Sequence, residues 1–84
     1  MKHSRLTARE RDVFKILVEN QIKTNEQIGD ILNLSPHTVA AHIRNILSKL
    51  ELESRYEMLT YAIKNELYAP HKEDGIIVYQ WATW

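Results

Sequence analysis

Ser35-Pro36-His37-Thr38-Val39-Ala40-Ala41-His42-Ile43-Arg44-Asn45-Ile46-Leu47-Ser48-Lys49-Leu50 is the stretch whose reading decides the fold. Ser35 can accept a hydrogen bond from an otherwise unpaired backbone N–H at a helix start, and Pro36 suits the first helical position, where its missing N–H costs nothing. From there Val39, Ile43, Ile46, Leu47 and Leu50 recur at steps of 4, 3, 1 and 3, drawing one apolar stripe along a helix. The other side holds Thr38, Ala40, Ala41, Arg44, Asn45 and Ser48, with His42 and Lys49 near its edges. Small side chains, hydrogen-bonding groups and two fixed cations let such a face lie close to another surface and still donate hydrogen bonds, which is what reading a DNA major groove demands. On an arbitrary amphipathic helix the same face would be ordinary solvated surface.

The residues upstream change that balance. Thr24-Asn25-Glu26-Gln27 has the spacing of a capping box and opens a short helix with Ile28, Ile31 and Leu32 on one side, after which Asn33-Leu34-Ser35 makes the turn. A short helix, a tight turn and a longer amphipathic helix form the helix-turn-helix pattern. Gly29 inside the short helix costs about 1 kcal/mol relative to alanine; it either permits close approach of the crossing helix or is a tolerated weak point. Further back, Thr7-Ala8-Arg9-Glu10 is a second capping box with Leu6 just before the cap, predicting a helix from Ala8 to about Glu19. Its Val13, Phe14, Ile16, Leu17 and Val18 form a broad apolar face, while Arg9, Glu10, Arg11, Asp12 and Lys15 are expected in water. Residues 1–6 read as a flexible basic arm and Asn20 to Lys23 as a turn.

With 84 residues, 44% of them hydrophobic and no cysteine, the chain can form one small domain with a helix-packed core and no disulfides or thiolate metal sites. No apolar run approaches the roughly 20 residues of a membrane span, and the polar N-terminus lacks a signal-peptide core, so a soluble cytoplasmic protein is expected. His3, His37, His42 and His71 are too scattered to suggest a metal centre, and no cofactor is implied. There is no phosphate loop and no nucleophile paired with a base, which leaves enzymatic activity without support. Net charge is zero, but unevenly distributed: residues 1–50 hold eight Lys/Arg against five Asp/Glu, and residues 51–84 hold three against six. The half that would face DNA is modestly basic, which points to modest affinity per subunit and a need for dimerisation.

After Leu50, Ser54-Arg55-Tyr56-Glu57 is a third capping box, ahead of a fourth helix with Met58, Leu59, Ala62, Ile63 and Leu67 as its apolar positions. Met58 and Ala62 are placed to face the core, whereas Tyr56, Leu59 and Ile63 are left over for dimerisation. Pro70 is expected to end this helix, dividing the chain into an arm (1–6), a helix-turn-helix domain (7–68) and a C-terminal extension (69–84). His71-Lys72-Glu73-Asp74-Gly75 reads as a polar connector, and Ile76 to Trp84 as a strand with no visible partner. A lone strand must find a partner for its backbone. For Trp81 and Trp84 the order of expectation is pairing within a homodimer, then docking on the chain's own helices, then recognition of a different protein.

These residues resemble the LuxR/GerE-type helix-turn-helix family of bacterial transcription regulators. The matching pieces are Leu6-Thr7-Ala8-Arg9-Glu10-Arg11-Asp12-Val13, Ile28, Leu34-Ser35, Thr38-Val39, His42, Ile46, Lys49-Leu50 and Ser54-Arg55. The resemblance spans residues 6 to about 67 and implies an all-α, four-helix domain, followed here by the extended tail. It further implies a third helix that enters the major groove of double-stranded DNA and a fourth that helps form a homodimer. Carried over residue by residue, it implies that Ala40, Ala41, His42 and Arg44 face bases, and that Thr24, Asn25, Thr38, Asn45 and Lys49 lie near phosphates. Two positions depart from the family: Ala40 stands where lysine is common, and the turn Asn20 to Lys23 lacks the usual glycine. Most members join this domain to a receiver or ligand-sensing domain, and this chain, which has neither, reads as a stand-alone member or as a fragment of something longer. The alternative reading is an adaptor or antagonist that binds another regulator, or RNA polymerase, through the tail and helix surfaces.

Overall fold

All three capping boxes form in the computed structural model, which describes Met1–Trp84. Thr7 opens α1 (Ala8–Glu19), its Oγ1 accepting from the Glu10 N–H while Glu10 Oε1 accepts from the Thr7 N–H at 2.9 Å. Thr24 and Gln27 do the same for α2 (Asn25–Leu32). Ser35 caps α3 (Pro36–Leu50), with Pro36 in the first turn as expected. The Ser54 box opens a single 3-10 turn over Arg55–Glu57, which runs into α4 (Met58–Lys64). These ends are legible in sequence because each cap is a contact between residues three apart.

The core is the convergence of the apolar stripes. Phe14 and Leu17 of α1, Ile28 of α2, Val39, Ile46 and Leu50 of α3, and Met58 and Ala62 of α4 are all fully or almost fully buried. At about 1.5–3 kcal/mol for each large side chain, this burial is the main force holding the helices together. Leu47, the fifth member of the α3 stripe, is half-buried, and Ile31 points to solvent, unlike its neighbours Ile28 and Leu32.

A residue in the left-handed region caps α2 and α3 and follows the cap of α4 by one position, and none of the three is glycine: Asn33 (φ 59°), Glu51 (φ 57°) and Glu66 (φ 58°). The following N–H reaches back five residues in every case, Leu34 to Gly29, Leu52 to Leu47 and Leu67 to Ala62, and this satisfies carbonyls that would otherwise lack partners. The first of these closures explains Gly29. A Cβ there would stand 2.3 Å from the Leu34 carbonyl oxygen, a backbone atom that cannot move aside, so the glycine serves close approach. The Asn20 to Lys23 turn needs no glycine, since none of its residues has a positive φ.

Several sequence expectations are corrected. The fold is not all-α: the extension forms a two-stranded antiparallel hairpin of β1 (Tyr68–Glu73) and β2 (Ile76–Trp81). Asp74 (φ 51°) and Gly75 (φ 79°) form its two-residue turn, the Asp-Gly signal that reading residues 71–75 as a connector passed over. Second, α4 ends at Lys64, well before Pro70, which instead sits in β1 opposite Tyr79. Counting from the turn, Pro70 occupies a non-hydrogen-bonded pair, so its missing N–H removes no ladder bond.

Third, residues 1–6 are not a free arm. Lys2–Arg5 form a 3-10 turn, and His3 and Leu6 are buried. His3 Nδ1 is hydrogen-bonded to the Tyr61 hydroxyl at 3.1 Å, and its ring meets Trp84 edge-on. Burial pushes the His3 pKa down, and the nearby N-terminal ammonium adds to the effect. Fourth, Glu10 is not in water: its side chain is 4% exposed and pairs with Lys49 Nζ of α3 at 2.6 Å. Burial pushes the Glu10 pKa up, but hydrogen bonds from Lys49 and the Thr7 N–H, with the charges of Lys49 and His42, outweigh it and leave the carboxyl below its ordinary value.

Trp81 and Trp84 dock on the chain's own helices. Phe14 is the hub, meeting Trp81, Trp84 and Tyr61 edge-on, while Trp81 Nε1 donates to Glu19 Oε2 at 2.7 Å. Arg11 lies over Trp84 and Lys15 over Trp81, so these cations of α1 shelter aromatic rings instead of standing alone in water. The α1 face therefore carries more than its apolar residues suggested.

Gly29→Ala is expected to cost about 1–3 kcal/mol through overpacking, read as a lower denaturation midpoint with an unchanged slope. The Glu10 carboxylate contributes stability that is present above its ordinary pKa and is lost as pH falls through the lowered folded value. Glu10→Gln should accordingly flatten the acid limb of a stability-against-pH curve, whereas Lys49→Ala, which strands a buried carboxylate, should cost about 3 kcal/mol at neutral pH.

Candidate nucleic-acid interface

Burying Val39, Ile43, Ile46 and Leu50 decides which side of α3 faces outward. At 100° per residue, the direction opposite that stripe passes through His37, Arg44, Ser48 and Ala41, with Asn45 and Thr38 beside them. His37, Thr38, Arg44, Asn45 and Ser48 are exposed, and Ala40, Ala41 and His42 are half-buried. The outer surface is small-featured around Ala41 and carries one arginine, Arg44, whose guanidinium has no partner within the chain. The expected base-facing residues are not equivalent: Ala41 and Arg44 lie near the centre of this arc, Ala40 on the flank toward α2, and His42 on the flank toward α1 beside Glu10.

Asn25 reaches the same surface from the start of α2. It shares a groove of about 370 Å³ with Ala40, Arg44, Leu47 and Arg55. Arg55 closes one end of the groove, donating from Nη1 to Asn25 Oδ1 at 2.7 Å and from Nη2 to the Lys23 carbonyl. Arg55 thus ties the turn before α4 to the start of α2, with the Asn25 amide N–H groups left unpartnered. In sequence Arg55 stands out only as part of a matching motif, because an arginine directly after a capping serine has no local partner that would reveal its role. Thr24 is exposed next to Asn25 and uses its Oγ1 as the helix cap. Thr38 Oγ1 lies 3.0 Å from Ser35 Oγ.

Thr38, Asn45 and Lys49 follow one line along the α1 side of α3, at steps of seven and four residues. Thr38 and Asn45 are exposed, but Lys49 is half-buried and bound to Glu10. Its ammonium is engaged with a carboxylate inside the domain, so the outward face of α3 carries less positive charge than the sequence suggested. Tyr56, Leu59 and Ile63 form a separate surface on and before α4, with Tyr56 64% and Ile63 44% exposed. Leu59 and Ile63 border a cleft of about 330 Å³ whose far wall is Tyr68 and Tyr79 of the hairpin. No helix of the chain is long and apolar enough to cross a membrane.

Residues 4–62 match the sequence profile described as "Bacterial regulatory proteins, luxR family". The chain is 40% identical over 67 residues to the transcriptional regulatory protein LiaR of Bacillus subtilis, covering 80% of this chain and 31% of LiaR. It is 48% identical over 50 residues to the nitrate/nitrite response regulator protein NarP of Escherichia coli, covering 60% of this chain and 22% of that protein. The response regulator protein VraR of Staphylococcus aureus is 32% identical over 62 residues, which is 74% of this chain and 29% of VraR. The chain thus spans less than a third of the length of these three relatives. A capped α2, a turn closed on Gly29, and an α3 whose small polar side faces outward are the parts that the matched segment has in common with a DNA-reading unit, and the chain belongs to the luxR family of bacterial regulatory proteins, carrying that family's helix-turn-helix DNA-binding domain.

Proposed function

We propose that this protein regulates transcription as a homodimer on double-stranded DNA, with α3 lying in the major groove and Arg44 as its principal sequence-reading contact. The observation that carries the reading is the unpartnered guanidinium of Arg44, on the outward face of α3 and in one groove with Asn25 and Ala40. An arginine so placed can hold guanine O6 and N7 together, while Ala40 and Ala41 are small enough to admit the base edges and to touch a thymine methyl. His42 adds a contact from the α1 flank. Thr24 and Asn25 from the start of α2, with Thr38 and Asn45 along α3, supply donors to the phosphates on either side of the groove. Lys49 is left out of the phosphate set, because it neutralises Glu10.

The homodimer forms through Tyr56, Leu59 and Ile63. A sparse positive face limits what one copy can contribute, and two copies on a two-fold site double the phosphate contacts. A second reading, an adaptor that binds another regulator or RNA polymerase, draws support from the hairpin, where Ile76, Ile77 and Tyr79 are all more than half exposed.

Arg44→Ala should weaken binding to a selected operator by about 1–3 kcal/mol and relax the base preference at one position in each half-site; equal loss on all sequences in a mobility-shift titration would remove Arg44 from base reading. Ile63→Lys should weaken binding to a palindromic site more than to an isolated half-site; equal loss on both would remove the α4 surface from dimerisation.

A further inference from the structure

The two strands of the hairpin are built very differently along their outer edges. In a ribbon with a two-residue turn, the residues whose N–H and C=O point away from the partner strand alternate, here Tyr68, Pro70 and Lys72 on β1 and Ile77, Tyr79 and Trp81 on β2. The β1 edge is guarded: Pro70 offers no N–H at its middle position, His71-Lys72-Glu73 places charge along its outer half, and its inner end runs straight out of α4. These are the devices that keep sheet edges from pairing. The β2 edge has none of them. Ile76-Ile77-Val78-Tyr79-Gln80-Trp81 contains no proline, glycine or charge, is rich in β-branched and aromatic residues, and exposes Ile76, Ile77 and Tyr79 by 65%, 66% and 52%.

We infer that the β2 edge is an interaction surface for a second copy of this chain, the two β2 strands pairing antiparallel about a two-fold axis at Val78. Around that axis Ile77 of one copy faces Tyr79 of the other, and both residues have their backbone groups turned outward. Two such pairs form, each exchanging two N–H···O=C bonds, and join the hairpins into one four-stranded sheet. Val78 faces its own counterpart as a close pair of β-branched side chains. Charge selects the occupant: a strand without charge gives an acidic or basic peptide nothing to pair with, whereas its own copy is equally uncharged and brings no like charges into opposition. The edge adjoins the α4 face, since Tyr79 lines one cleft with Leu59 and Ile63, but its pairing uses the backbone of β2 and does not depend on the DNA-binding reading.

The test is made without DNA on the full-length chain. Amide exchange is followed residue by residue at low and high protein concentration, and mass by sedimentation over the same range. The Ile77 and Tyr79 amides, which have no partner within one chain, should slow by about tenfold or more at high concentration. The Ile63→Lys variant, with its α4 face blocked, should still gain mass, and adding Ile77→Pro should abolish that gain. Proline there matches the outward-facing position that β1 already fills with Pro70, so the ladder survives. Exchange at Ile77 and Tyr79 that is independent of concentration overturns the inference, whatever the variants do. So does self-association that persists in the chain carrying both Ile63→Lys and Ile77→Pro, as side-chain contact or pairing through another edge would give. Unchanged half-site DNA binding by Ile77→Pro would leave the DNA-binding reading standing in either case.

Discussion

Burial of the α3 stripe is the constraint on which the rest of the molecule depends. Val39, Ile43, Ile46 and Leu50 are withdrawn from water on to Phe14, Leu17, Val18 and Ile28, and a helix with only one apolar side can satisfy that demand in only one rotation. The same rotation sets Ala41, Arg44, Asn45 and Ser48 outward. The orientation of the interface is thus a by-product of packing, and no contact among the outward residues themselves is needed to hold it.

Two further contacts set where α3 lies along its neighbours. Gly29 lets the backbone at Leu34 come closer to α2 than any side chain would allow, which fixes the tightness of the turn. The Glu10–Lys49 pair ties the first turn of α1 to the last turn of α3 in a site where the carboxylate is almost wholly buried. A buried pair of this kind adds little net stability over apolar packing but penalises arrangements that separate its members. Here it also removes one cation from the surface that faces outward, so the interface is shaped more by small side chains and hydrogen-bond donors than by charge.

The two chain ends meet around Phe14. His3, Tyr61, Trp81 and Trp84 come from opposite ends of the chain, yet their rings pack edge-on around or next to that one side chain. Burial pushes the Tyr61 pKa up as it pushes that of His3 down, in each case favouring the uncharged form. This cluster gives the hairpin a firm base at Trp81, while its far end, Lys72 to Ile77, stands exposed.

The sequence by itself determined the starts of the four helices, the stripe on α3 and the outward set that follows from it, because caps and helical periodicity are interactions between residues one to four positions apart. The Asp74-Gly75 turn was equally local, and the hairpin could have been read from it had Pro70 been allowed in a strand. What only the tertiary structure decided involves partners distant in the chain: Lys49 bound to Glu10, Arg55 clamped on Asn25, His3 under Tyr61, and the tryptophans on Phe14. A charged or aromatic side chain looks the same in sequence whether it meets water or a group forty residues away. Only the geometry of closure selects between them, and that geometry comes from the packing of the whole core.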